Sequence, residues 1–107
     1  MLELKKGDVV IYLDPDSGKK RPAVIVGEGP TVAELDVTIA KITSQDIRNK
    51  YDIRVEHWEE AKLKRPSVVR CSKLNTIHSR EIIIKPGKLL ESDYKKVRSA
   101  ILEYLTN

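Results

Sequence analysis

The polar residues best suited to chemistry lie beside or within apolar, strand-like runs. Arg21 comes just before one such run, Thr43 and Ser44 come just after the next, and Arg70 lies inside a third. A guanidinium among apolar residues needs an acidic partner or an anionic ligand, because an unpaired buried charge is strongly unfavourable. Its planar fork also bonds two phosphate oxygens at once. The set therefore indicates a site for a phosphate-bearing ligand.

Each of these residues also has a purely structural interpretation. Strand alternation would point the Arg70 side chain into solvent, away from its apolar neighbours. Thr43 and Ser44 would then cap the segment that begins at Gln45. The sequence pattern alone leaves both interpretations open.

Several common kinds of site have no matching motif. One cysteine and two histidines, without C-x-x-C or H-x-x-x-H spacing, do not form a recognisable zinc set. Gly27-Glu28-Gly29 lacks the third glycine and the following lysine of the known phosphate loops. No G-x-S-x-G segment marks a serine hydrolase. We therefore predict no metal and no cofactor.

The elements that must position these residues are mainly short strands. Asp14-Pro15-Asp16-Ser17-Gly18 is rich in turn-forming residues and predicts a hairpin with a basic flank. His57–Leu63 is typical of a short helical turn. The six predicted strands are Val9–Leu13, Ala23–Val26, Val37–Ile42, Tyr51–Val55, Ser67–Cys71 and Ile82–Ile84, the last closed by Pro86-Gly87.

The C-terminal segment changes period and predicts an amphipathic helix. Ser92 is a candidate N-cap, and Asp93 lies in the first turn, where the helix dipole favours a carboxylate. A run of short strands followed by one docking helix predicts a small, strongly bent sheet or barrel in a single domain. The apolar positions recur at spacings of three and four: Tyr94, Val97, Ala100, Ile101, Tyr104 and Leu105.

Composition favours a soluble domain with a polyanionic partner. The 107 residues carry a formal net charge of +4. An excess of basic residues favours binding to a polyanion such as nucleic acid, but it does not identify the partner. With no export signal and only Cys71, a reducing cytoplasm is expected.

Six blocks in order resemble the MazF/PemK family of toxins from bacterial toxin–antitoxin pairs. They extend through nearly the whole chain, and their order and spacing carry the resemblance. The blocks are Lys6-Gly7-Asp8-Val9-Val10, Arg21-Pro22-Ala23-Val24-Ile25-Val26, Ile42-Thr43-Ser44-Gln45, Ser67-Val68-Val69-Arg70-Cys71, Asn75-Thr76-Ile77 and Pro86-Gly87-Lys88-Leu89.

The resemblance implies a mostly β fold, an SH3-like, strongly curved barrel with a C-terminal helix, assembled as a homodimer. It also implies metal-independent, sequence-selective cleavage of single-stranded RNA, chiefly mRNA, with inhibition by a cognate antitoxin. In the reaction that the resemblance implies, the ribose 2′-hydroxyl would attack the adjacent phosphorus and leave a 2′,3′-cyclic phosphate and a 5′-hydroxyl end.

By the same resemblance, Arg21, Thr43, Ser44 and Arg70 would be the catalytic residues. Arg21 would bind the phosphate, the Thr43 hydroxyl beside Ser44 would position it, and Arg70 would act at the scissile group. Since arginine stays protonated, both arginines are expected to stabilise charge rather than donate protons. Further RNA contacts are expected at Lys19, Lys20, Ser72, Lys73 and His78, and along the basic residues Lys62, Lys64 and Arg65.

Two departures from the family pattern concern substrate choice and catalysis. The first hairpin loop is short, running from Gly18 directly through two lysines to Arg21. Ser72 occupies the position where the family often has an acidic general base, and a serine hydroxyl is not a base near neutral pH. His78, and less so His57, could substitute if the chain returned them to the site.

Two other functions stay open on the sequence alone. Ser72 is compatible with a non-catalytic homologue that binds nucleic acid or an antitoxin peptide without cutting. A plain SH3-like interaction module is a more distant alternative, because a polyproline groove needs an aromatic-lined surface and this chain has few aromatic residues.

Overall fold

The computed structural model describes residues 3–28 and 36–107. Positions 29–30 of the predicted Gly27–Pro30 loop lie outside the described residues. Within the described ranges, six strands and one α-helix follow one another, with a single 3₁₀ turn at Ser79–Glu81. The elements are β1 Asp8–Leu13, β2 Lys20–Gly27, β3 Asp36–Thr43, β4 Asp52–Arg54, β5 Val68–His78, β6 Ile82–Lys88 and α1 Glu91–Thr106.

All strand pairs are antiparallel, and the sheet order is β4-β5-β3-β2-β1-β6. The β1–β2 hairpin turns at Asp14–Gly18 as predicted, since the Gly18 amide donates to the Asp14 carbonyl at 2.8 Å and Gly18 has a φ of +70°. Glycine suits this left-handed conformation because it has no Cβ.

Alternation along the strands fills a core on each face of the sheet. Val24 packs in a cluster with the helix, whereas its neighbours Ala23 and Ile25 belong to a second cluster on the other face. Such two-sided burial explains why the strands read as nearly continuous apolar runs. Tyr12 lies in the second cluster and is fully buried.

Helix α1 covers the first cluster with the predicted face. Val97, Ala100 and Ile101 are buried, whereas Tyr104 and Leu105 near the C-terminus are exposed. The Ser92 N-cap prediction is wrong: the helix starts at Glu91, its N-cap is Leu90, and no side-chain cap hydrogen bond forms.

Asp93, expected to lie in the first turn, does so and has a second role. Its carboxylate is almost completely buried and accepts the backbone N–H groups of Glu56 and His57 at 3.2 and 2.9 Å. The helix therefore holds the chain that follows β4. That chain, predicted as a helical turn over 57–63, forms successive turns that end at Leu63, whose amide donates to the Trp58 carbonyl.

Strand β5 is longer than predicted because it bends at a bulge and continues. Ala40 of β3 faces Leu74, and the next residue of β3, Lys41, faces Arg70. A single residue step along β3 therefore corresponds to four residue steps along β5. The extra residues 71–73 let the strand curve, as bulges do. The ladder then resumes as far as His78.

The described strands form an open sheet with β4 and β6 at its edges. The mostly β fold with a C-terminal helix is as predicted. A closed, strongly curved barrel is not confirmed, since β4 and β6 share no ladder within the described residues.

Candidate phosphate-binding site

Strand register brings three basic side chains to one face of the sheet. Tyr12 of β1 faces Arg21 of β2, and Lys41 of β3 faces Arg70 of β5. Lys41 is also paired with Ala23 of β2, two residues from Arg21. Residues that are directly opposite each other on neighbouring strands, or two apart on one strand, point to the same face of the sheet. Arg21, Lys41 and Arg70 therefore form a row of positive charges across β2, β3 and β5.

Thr43 lies beside Arg21 in this arrangement. Continuing the β2–β3 register by two residues from Ala23 and Lys41 places Thr43 opposite Arg21. The Thr43 hydroxyl oxygen accepts the Gln45 backbone N–H at 3.1 Å, which fixes the side chain and leaves its own hydrogen for an acceptor. Ser44 follows on the exposed chain.

Arg70 is buried in the protein, so the solvent-facing interpretation of this residue is wrong. One guanidinium nitrogen contacts the Asp52 carboxylate and another donates to the Gln45 side-chain oxygen at 3.3 Å. Asp52, on the neighbouring strand β4, faces Arg70 across the ladder and is itself buried. The charge of Arg70 is therefore largely compensated from within the chain.

Two adjoining cavities open where these strands end. The smaller one, called the inner cavity because the buried residues Tyr12, Asp14 and Arg70 line it, has a volume of about 220 Å³. Lys41 and the four residues shared with the larger one complete its lining. The outer groove, of about 640 Å³, is bordered by the chain before β5 and by β6. The shared residues are Arg21, Pro22, Ile42 and Thr43.

The outer groove is basic and partly apolar. Five of its lining side chains are basic and none of the lining residues described is acidic. The apolar part of the lining is made by Ile11, Pro22, Ile42, Leu63, Ile83, Ile84 and Pro86. The basic side chains are Lys20, Arg21, Lys62, Lys64 and Arg65.

Two groups on the inner cavity have shifted pKa values. Burial, and then the nearby Asp14 carboxylate, raise the pKa of Tyr12 above its usual value, although Arg21 partly opposes them. Burial alone would raise the pKa of Asp14, but the Asp16 amide, the Ser17 hydroxyl and the cations Lys41 and Arg21 lower it overall. Near neutral pH the inner cavity therefore holds a neutral phenol and a carboxylate bound by its own turn.

The structure brings together some of the predicted site residues and separates others. Arg21 and Thr43 line both cavities, Ser44 and Lys20 line the outer groove, and Arg70 lines the inner cavity. Lys19, Ser72, Lys73 and His78 line neither cavity.

Neither histidine lines either of the two cavities. His78 faces Asp36, at the far end of β3 from Thr43, and its Nδ1 accepts the Arg80 amide at 3.0 Å. His57 contacts the Asp93 carboxylate at 3.2 Å beside the helix. Their RNA-binding or catalytic use would need a surface other than these cavities.

Tyr12, Asp14 and Lys41 also line the inner cavity, and none of them was predicted from the sequence. Strand alternation could have predicted the direction of the Lys41 side chain. Lys41 lies two residues after the buried Ile39, so both side chains are expected on the same, interior face of the sheet. Tyr12 follows a run of core residues and carries no signal of its own.

One group of side chains has metal-binding composition. Ligand atoms of Glu56, His57 and Asp93 lie within 4.8 Å of one another. Asp93 is occupied by its two backbone donors and His57, and Glu56 accepts from the Lys96 ammonium at 2.6 Å. These partners account for the cluster as a structural link between α1 and the chain after β4.

The family model of the PemK-like, MazF-like toxins of type II toxin–antitoxin systems matches residues 5–105. The chain belongs to this family. Among curated proteins, none matches the sequence. Within the described residues of the toxin, no helix is both long and apolar enough to cross a membrane.

Solved structures of similar fold include toxins alone and with antitoxins. A mycobacterial endoribonuclease in complex with its cognate antitoxin is 16% identical, with a TM-score of 0.80, 98% of this chain and 96% of that chain being covered. The Mycobacterium tuberculosis toxin MazF-mt6 is 25% identical, with a TM-score of 0.75 and coverages of 92% and 96%. A MazE–MazF structure from Deinococcus radiodurans is 13% identical, with a TM-score of 0.74 and 97% of each chain covered.

Proposed function

We propose that this toxin is a metal-independent endoribonuclease that cleaves single-stranded RNA in the outer groove. The observation that carries the proposal is the basic groove, which Arg21 and Thr43 both line and in which no described lining residue is acidic. Such a surface attracts the phosphate backbone of a single strand. Membership of a toxin family with endoribonuclease relatives supports the reaction type.

In the proposed reaction the ribose 2′-oxygen loses its proton and attacks the adjacent phosphorus. The bond from phosphorus to the 5′-oxygen then breaks, that oxygen takes up a proton, and a 2′,3′-cyclic phosphate and a 5′-hydroxyl end remain. Arg21 would stabilise the negative charge that develops on the phosphoryl oxygens. The Thr43 hydroxyl, held by the Gln45 amide, would donate to one of them, with Ser44 beside it.

Arg70 takes a different part in the proposal from Arg21. Its guanidinium is engaged by Asp52 and Gln45, and Gln45 lines the outer groove. Arg70 would therefore hold the Gln45 side chain in place on the wall of the outer groove. It would also contribute a positive charge, partly compensated by Asp52, to the inner cavity. Arg21 is exposed and forms no ion pair within the described residues, so its charge is available to a ligand.

We further propose that the toxin acts as a homodimer in the cytoplasm and is inhibited by a cognate antitoxin. Related toxins have been solved with antitoxins bound. An acidic, partly disordered antitoxin segment would complement the basic groove. Lys19, Lys73 and the more distant His78 would contact RNA only where it leaves the groove.

The test uses three substrates of one sequence: a long single-stranded RNA, its DNA counterpart and the RNA annealed to its complement. In EDTA, the toxin should cut only the single-stranded RNA, with cyclic phosphate at the new 3′ ends. Intact RNA with folded protein would favour the non-catalytic alternative. That alternative has one supporting observation, since neither histidine nor Ser72 lines either of the two cavities described.

A further inference from the structure

The Tyr12 hydroxyl is a buried donor without a partner. Tyr12 is fully buried, and within the described residues its hydroxyl forms no hydrogen bond, although the residue lines the inner cavity. A buried polar group that lacks a hydrogen bond destabilises the fold. Phenylalanine would fill the same core position without that penalty, so the oxygen needs an explanation outside packing.

The charges around Tyr12 favour an anion. Arg21 and Lys41 line the inner cavity, and neither makes an ion pair within 4 Å in the described part of the chain. The one carboxylate on the lining is Asp14, whose oxygens accept the Asp16 amide and the Ser17 hydroxyl, each at 3.1 Å. Arg70 is compensated by Asp52, so the lining keeps an excess of positive charge.

We propose that the inner cavity is the pocket for a phosphoryl group of the RNA, in which the Tyr12 hydroxyl and the Lys41 ammonium bind the phosphate oxygens. The inference rests on the proposed function for the identity of the substrate. It adds two residues that touch the reacting group, and it assigns the orphan hydroxyl a role as a donor. Because the phenol stays neutral near pH 7, it donates rather than accepts at this site.

The position of the cavity fits this role. It shares Arg21 and Thr43 with the outer groove, so an RNA strand lying in the groove can place one phosphate beside these two residues. Lys41 sits on the central strand β3, with the β2 and β5 ladders on either side, which makes its position rigid. Sites on such elements hold a ligand more accurately than sites on loops.

The first experiment measures binding without RNA, using inorganic phosphate as the probe and thermal unfolding as the readout. Phosphate should raise the melting temperature of the wild-type toxin in a dose-dependent way. Tyr12→Phe and Lys41→Gln should each remove at least half of that rise. Two matched controls, Tyr94→Phe and Lys95→Gln, delete the same groups away from both cavities and should keep the full rise.

Tyr12→Phe also separates binding from folding. Without phosphate, its melting temperature should equal or exceed that of the wild type, since the change removes an unpartnered oxygen. Should Lys41→Gln fail to fold, Tyr12→Phe alone decides the matter. A marked loss of stability in Tyr12→Phe would mean that the hydroxyl already has a partner, and would overturn the inference.

The second experiment uses RNA and distinguishes the phosphodiester from free phosphate. Single-turnover cleavage should fall about tenfold or more in Tyr12→Phe, as expected for the loss of a hydrogen bond to a charged group. Binding of a random 2′-O-methyl RNA pool, which cannot be cut, should show a salt dependence reduced by about 0.7 in log–log slope for Lys41→Gln. Another result would refute the RNA assignment. If the two variants lose the stabilisation by phosphate but cleave and bind RNA as the wild type does, the pocket binds free anions and not the RNA phosphate.

Failure of the two proposals can be told apart. If wild-type toxin cuts RNA and Tyr12→Phe cuts equally well, the pocket assignment is wrong and the proposed function stands. If wild-type toxin does not cut RNA, the proposed function fails, while phosphate protection and 2′-O-methyl RNA binding still test the pocket. If phosphate raises the melting temperatures of wild type and Tyr12→Phe equally, the Tyr12 hydroxyl does not bind phosphate, whether or not the toxin cuts RNA.

Discussion

Replacing Arg70 by methionine should destabilise the toxin severely, because it leaves the buried Asp52 carboxylate without its counter-ion. The Asp52 side chain is 1% exposed, and its Oδ2 atom would keep only the Arg48 amide, at 2.8 Å. Its other oxygen, Oδ1, has no hydrogen-bond partner within the described residues even in the wild type. The substitution therefore isolates a charge in the core rather than on the surface.

The expected cost follows from breaking a buried ion pair on one side only. Such changes cost about 3–5 kcal/mol, against about 5–15 kcal/mol for the total stability of a domain. For a chain of this length the melting temperature should fall by roughly 15 °C or more. Arg54→Met is the matched control, since its ion pair with Asp46 is exposed, and it should cost less than about 1 kcal/mol.

Urea unfolding followed by far-ultraviolet circular dichroism measures these differences. The double variant Arg70→Met/Asp52→Leu removes both charges and should recover to within about 2 kcal/mol of the wild type, because apolar pairs of similar volume replace buried ion pairs well. A loss below about 1 kcal/mol in Arg70→Met alone, or no recovery in the double variant, would show that Arg70 does not stabilise the fold by compensating the Asp52 charge. Cleavage retained in the double variant would in addition make Arg70 a structural residue.

Three further predictions concern the site and the core. Arg21→Ala should abolish cleavage while the melting temperature changes little, because Arg21 is exposed and has no ion pair in the described chain; a large fall in melting temperature would make it structural. Ser72→Asp should leave the cleavage rate unchanged or raise it, and loss of activity in a folded variant would give the serine a role of its own. Burial raises the pKa of Cys71 to about 12, so the native thiol should not react with a thiol reagent at pH 8 until the protein is unfolded in urea. Since the unfolded thiol ionises from about pH 8.5, the free energy of unfolding should fall between pH 8.5 and pH 12 by up to about 1.4 kcal/mol per pH unit, and Cys71→Ala should lose that component; equal pH dependence in both proteins would contradict it.

Local patterns in the sequence predicted the elements but not all of their lengths. The period of three and four from Tyr94 identified the helix, and the turn at Asp14–Gly18 identified the first hairpin. The extension of β5 beyond Cys71 was missed because the bulge interrupts the alternation that marks a strand. After the bulge, Leu74 packs in the same cluster as Cys71, which a strict period of two does not allow.

The site was predicted only where the resemblance or a strand end marked a residue. Arg21 and Thr43 were found in this way. Arg70 and Asp52 are 18 residues apart in the chain, and their pairing depends on the register between β4 and β5. No local sequence pattern encodes that register. For Lys41, alternation with the buried Ile39 predicts only the face of the strand; its position beside Arg21 and Arg70 follows from the order of β2, β3 and β5.

The decisive measurement of metal-independent ribonuclease activity is cleavage of a long single-stranded RNA in EDTA, followed over time for wild type and Arg21→Ala. We expect discrete fragments with cyclic phosphate ends from the wild type and none from the variant, with both proteins equally folded. Intact RNA after incubation with folded wild-type protein, or equal cleavage by Arg21→Ala, would contradict it.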